Sequence, residues 1–150
     1  MRLLAISTVL WLAACACDDT QTRNEAMLFI DRFEDIDVDD PLEERRAAID
    51  GVRNLALTDP TVVAARDQCV SAYGALIEAE DQHDLARHML VSTFLPDGGE
   101  MPVPPELADQ INAAIAHSDE AIARTQELMP RCTRAVGQLE RRFPRHASGH

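Results

Sequence analysis

Two short patterns in the middle of this chain set a carboxylate and a histidine one helical turn apart. Glu80-Asp81-Gln82-His83 reads E-x-x-H, and His117-Ser118-Asp119-Glu120 reads its reverse. On a helix, residues three apart share a face, so each pattern can aim one oxygen and one imidazole nitrogen at a common point. Four such donors from facing helices can hold a divalent metal such as zinc or iron. At about 100° per residue, Glu80 and His83 lie about 20° and 40° from the direction of Cys69. His117 lies about 60° from the direction of Cys132, and Glu120 about 120° away. The angles weaken the set, Glu120 most of all, and Ser118 and Ala121 face the third helix better; Glu80, His83 and His117 remain the candidates. The bland alternative is a solvated or mutually hydrogen-bonded polar patch.

Other residues capable of chemistry are sparse. Asp35, Asp37 and Asp39 have the odd spacing of a calcium loop, but Asp40 stands where an EF-hand needs glycine and Arg46 where it needs glutamate. An acidic turn with helix capping is the simpler reading. His88, His146 and His150 read as surface histidines. No Ser/His/Asp set, glycine-rich phosphate loop or CxxCH haem site stands out in the sequence, so a non-enzymatic role is expected. The formal net charge of −12 argues against nucleic acid, whose phosphates would be repelled. Every basic residue other than histidine is arginine.

These residues must be positioned by helices. Aromatic residues make up only 4% of the chain, so the core must come from Ala, Leu, Ile and Val, which favours helix on helix. Ala26, Phe29, Ile30, Phe33 and Ile36 form an i, i+3, i+4 stripe and predict a first helix over 22–36. Asp40, Pro41 and Glu43 predict a second, with Asp40 at N-cap and Pro41 at N1, running through Ile49 and Val52 to Ala56. Asp59 and Pro60 repeat the signal for a third over 60–93. The fourth runs from Glu106 to about Phe143, with Pro130 inside it as a possible kink. Alternation of period two is absent, so the fold is all-α with four helices. Unequal lengths predict a short hairpin packed on one half of a long antiparallel hairpin, its cover ending near Leu76, where the sequence turns polar.

The long hairpin bends near residue 100, so facing positions should have numbers summing to about 200. Cys69 and Cys132 meet that condition and are expected to form a disulfide; the alternative is two small buried thiols. Glu80 with Glu120 and His83 with His117 obey it too, and carboxylate–histidine pairs on facing helices resemble those inside ferritin-like bundles.

The N-terminus carries an address. Met1 and Arg2 precede "LLAISTVLWL", an apolar run of about ten residues, too short to span a bilayer but long enough for a signal-peptide core. Leu12-Ala13-Ala14-Cys15 resembles the lipobox of bacterial lipoproteins. That resemblance implies cleavage before Cys15 and its acylation, with palmitate among the chains. Acyl chains at about 0.8 kcal/mol per buried CH₂ would hold the protein to a bilayer. The organisation expected is a signal peptide over 1–14, a lipidated tether over 15–21, a helical domain over 22–143 and a flexible tail over 144–150. Ala16 rather than aspartate after the cysteine favours, by the same resemblance, the periplasmic face of the outer membrane. Cys17 could cross-link two copies or lie inert beside the lipid.

The bend of the long hairpin gathers Met89, Leu90, Val91, Phe94, Leu95, Met101, Val103 and Leu107. Clustered apolar residues there suggest an interaction surface, with Met89, Phe94, Leu95, Met101 and Val103 as partner-binding candidates; folding back to cap their own hairpin is the alternative. At the other end Arg131, Arg134, Arg141, Arg142 and Arg145 gather near the tether, to meet anionic headgroups or to favour the helix C-terminus. The expected function is binding or scaffolding of a periplasmic protein partner. In architecture this resembles the secretin pilotins, some of which are small, helical, disulfide-bonded lipoproteins. The rival expectation is a metal or small-ligand protein using Glu80, His83 and His117.

Overall fold

Helix signals dominate the sequence, and helices are what the chain forms. The structure, a computed structural model, describes residues 4–93 and 102–145, with side chains from residue 19 onward. Among the described residues there are four helices and no strand: α1 (Leu4–Glu34), α2 (Leu42–Arg53), α3 (Pro60–Val91) and α4 (Pro105–Arg142).

The helix ends follow their local chemistry. Asp59 caps α3, its side chain accepting from the N–H groups of Thr61 and Val62, with Pro60 in the first turn. At α2 the expected capping box does not form. Pro41, at ψ 142°, takes the N-cap position itself and no side chain caps the helix; its carbonyl accepts from the N–H groups of Glu44 and Arg45. The larger departure is α1, which begins at Leu4 instead of near Thr22, so the stretch expected as a tether is helical. No glycine or proline stands between residues 4 and 34, so nothing local stops the helix once it is nucleated. Pro130 does not break α4, which runs through it as one helix of 38 residues.

α3 and α4 form the long antiparallel hairpin. At Cys69 and Cys132 their backbones approach to a Cα–Cα distance of 4.6 Å, closed by the expected disulfide. The same register places the Ser118 hydroxyl 2.9 Å from the carbonyl of Ala79 and pairs Arg124 with Glu78. α1 lies along the first half of this hairpin. Its N-terminal part sits beside the start of α3 and the end of α4, with the Thr22 hydroxyl donating to Asp59 at 2.8 Å and Arg142 3.6 Å from Asp19. Its C-terminal part brings Phe33 edge-on to Tyr73, ring centroids 5.1 Å apart. Fully buried Phe29, Ile30, Ile49, Val52, Val62 and Leu139 fill the centre, each stabilising by about 1.5–3 kcal/mol on burial.

The apolar core shared by the four helices stops at Ile77 on α3 and at Leu128 on α4. This agrees with the cover expected to end near Leu76. Two ion pairs mark the step: Arg45 with Glu80 and Arg46 with Asp81 at 2.5 Å. Past them α3 and α4 continue as a two-helix arm whose seam is built from small side chains. Ala79, Ala86, Ala114, Ser118 and Ala121 are buried there, with Ile111 as the one large member among the described residues.

Candidate functional site

The chemistry suggested by Glu80, His83 and His117 does not assemble. Glu80 faces the buried guanidinium of Arg45, whose Nη1 donates to Glu80 Oε1 at 2.8 Å and whose Nη2 donates to Oε2. That bond and the charge of Glu80 raise the Arg45 pKa against the desolvation that would lower it. His83 and His117 are exposed. Among the described residues no three His, Cys, Asp or Glu side chains converge as a metal-holding group. The reason is angular: His117 points off the α3–α4 seam, and the residue facing α3 at that height is Ser118. Asp35, Asp37 and Asp39 are likewise exposed, and Asp37 accepts from the N–H of Asp39 at 2.9 Å as part of a turn.

Two buried charged residues escaped the sequence reading. Arg45 lies in phase with Leu42, Ile49 and Val52, the inward stripe of α2; that phase was the available signal, masked by the run "EERR". Glu25 is the other. It stands beside Ala26 on the buried face of α1 and accepts from the N–H groups of Thr58 and Asp59, at 2.7 and 2.8 Å, and from the Thr58 hydroxyl at 2.6 Å. These bonds, the hydroxyl first, pull its carboxyl down to about 2 although burial pushes upward. For Asp59, burial also pushes up, but the Thr22 hydroxyl and the N–H groups of Val62 and Thr61 outweigh it and the pKa falls. Both residues fix the α2–α3 turn against α1. No buried side-chain polar atom among the described residues lacks a partner.

Most of the exposed large apolar residues among the described ones lie on the arm, with Leu28 and Val38 exposed on the base. Leu90, Val91 and Val103 near the bend are exposed, as are Ile115 and Ile122 on α4, at 44% and 42%. Of the five partner-binding candidates, Val103 is exposed and Met89 half-buried, while Phe94, Leu95 and Met101 lie outside the described residues. An open groove of about 300 Å³ runs between the two helices, lined by Leu76, Ala79, His83, Ser118 and Ile122 among others. A second groove of about 370 Å³ lies near the foot, lined by Gln68, Arg131, Arg134 and Gln138.

The arginines at the foot divide. Arg142 pairs with Asp19, Arg145 with Glu34 and Asp31, and Arg131 with Glu127, while Arg134 and Arg141 have no carboxylate partner among the described residues. Cys15 and Cys17 lie on α1, before the residues whose side chains are described. Among the described residues no helix is long and apolar enough to cross a membrane. No protein-family model, curated protein or solved structure matches the chain.

Proposed function

We propose that this is a bacterial lipoprotein held to the envelope through acylated Cys15, whose helical domain binds a periplasmic protein partner and catalyses nothing. The observation that carries the reading is the arm. α3 and α4 extend beyond the cover of α1 and α2, and beyond the step they bury small residues between themselves while leaving Ile115, Ile122, Leu90 and Val103 to solvent. Uncovered apolar side chains on a projecting element are costly in an unpartnered protein and useful in a bound one. The polar groups inside the domain are spent on structure, which favours a scaffold over a catalyst. The order of the helices returns the end of α4 to residue 19, which would set the foot at the membrane and the arm away from it. Placement in the outer membrane and the likeness to secretin pilotins belong to the same proposal.

Affinity purification from chemically cross-linked, intact envelopes tests it. The wild-type protein is expected to bring down one stoichiometric partner. Replacing Ile115 and Ile122 together by serine is expected to lose that partner while membrane association is kept; Cys15→Ala is expected to abolish palmitate incorporation. A partner retained at wild-type yield by the arm variant contradicts the reading.

A further inference from the structure

We infer that the groove on the arm receives a basic amphipathic helix of the partner, lying where α1 would run if it were longer; this rests on the partner-binding reading. The shape follows from one stripe on α4. Val136, Met129, Ile122 and Ile115 recur every seven residues and so share a face of the helix. The first two pack, half-buried, against the four-helix core, in a cleft that Phe33 of α1 also lines. The second two continue the same stripe and are exposed. On α3 the matching face runs from Tyr73, in edge contact with Phe33 of α1, to Leu76 and His83, which line the open groove. One track between α3 and α4 is thus lined by a helix for half its length and, among the described residues, uncovered for the rest. What fits the filled half is an apolar helical face; the other half keeps an apolar lining of Leu76, Ala79 and Ile122 and adds Glu80, His83 and Asp84.

The charge of the occupant follows from the arm. Between Glu78 and Glu127 stand eleven carboxylates against two arginines, Arg87 and Arg124, which places −9 of the chain's −12 in that third of the sequence. Arg87 is paired with Asp84 and Arg124 with Glu78 and Glu120, and arginines of the base, Arg45, Arg46 and Arg131, pair with Glu80, Asp81 and Glu127. Glu106, Asp109 and Asp119 have no basic partner among the described residues and stand exposed on α4. A field of this sign attracts a basic segment. It also opposes a second copy of the same arm, which would set one acidic face against another.

The probe is an 18-residue peptide of leucine and lysine alone, with the leucines on one helical face. Its controls are an isomer with the order scrambled to remove that face and an analogue with glutamate in place of lysine. Binding is measured by fluorescence anisotropy to the mature chain, residues 15–150, carrying Cys15→Ser, so that neither the apolar leader nor an acyl chain calls for detergent. Saturable binding is expected, weakened at least about tenfold by Ile115→Ser with Ile122→Ser and unchanged by Leu28→Ser with Val38→Ser on the base. The scrambled and acidic peptides are expected to bind at least about tenfold more weakly, and added salt to weaken the basic peptide. The inference is overturned if the basic peptide does not bind, if the acidic analogue binds as well, or if the base variant weakens binding as much as the arm variant. It is overturned equally if sedimentation shows a dimer that the arm variant dissociates, because the groove then belongs to a second copy. If the peptide fails while the arm variant still loses its envelope partner, the partner-binding reading stands and only the basic helix falls.

Discussion

Glu25 shows how one carboxylate can organise a chain junction. Two N–H groups of the α2–α3 connection and the Thr58 hydroxyl all donate to it, so removing it orphans several donors at once. Glu25→Ala is expected to cost about 3 kcal/mol in denaturant unfolding. Its folded pKa, about 2, lies below the ordinary 4.5, so the stability it contributes is fully present above pH 4.5 and is lost as pH falls toward 2. Wild-type stability should therefore drop more steeply across that window than that of Glu25→Gln. At Arg45 and Glu80 the two members of a pair are unequally buried, with side-chain exposures of 8% and 37%. Glu80→Ala strands a buried guanidinium and is expected to cost about 3 kcal/mol, whereas Arg45→Met removes the charge with its desolvation penalty and should cost clearly less. Equal losses would contradict that ordering. Neither the burial of Glu25 nor that of Arg45 was legible beforehand. Spacing reveals which face of a helix is buried, but a charge on that face looks like a charge anywhere until its partner, 35 positions away, is in place.

The helices themselves were legible, because their signals are local. Asp59 before Pro60 fixes the start of α3, and the hydrophobic period fixes the inward faces of α2 and α4. The register of the long hairpin could be read as well, since two antiparallel helices joined by one bend leave a single free parameter, and Cys69 facing Cys132 satisfies it. The start of α1 was not legible, because the change from apolar to polar residues at Cys15 resembles a boundary while no residue there breaks a helix. The disulfide closes a loop across a sequence separation of 63. Replacing both cysteines by alanine is expected to lower stability by about 4 kcal/mol, measured by urea unfolding, and to leave the helical circular dichroism at low temperature largely intact. Gly74 lies inside α3 with nothing within 4 Å of where a Cβ would stand. Gly74→Ala should therefore stabilise by about 0.5–1 kcal/mol, and a loss of stability would show that the hairpin packs more tightly there than described.

As a whole the molecule is polar in two senses. A base of four helices carries the aromatic contacts, the disulfide and the buried ionic junctions, while an arm of two helices carries most of the net negative charge and most of the exposed aliphatic residues among the described ones. That division could be expected from helix lengths alone, since a short hairpin cannot cover a long one. The metal set is already weak on helix angles, which turn His117 about 60° from the direction of Cys132, and Ser118 is the residue that meets α3 at that height. We propose that the arm, and not the base, meets a partner in the envelope. The most direct test is photo-cross-linking in intact cells, with a benzophenone amino acid placed singly at Val103 and Ile115 on the arm and at Leu28 and Val38 on the base. One discrete cross-linked product is expected from the arm positions and none from the base. Cross-links from the base positions with a bare arm would contradict it.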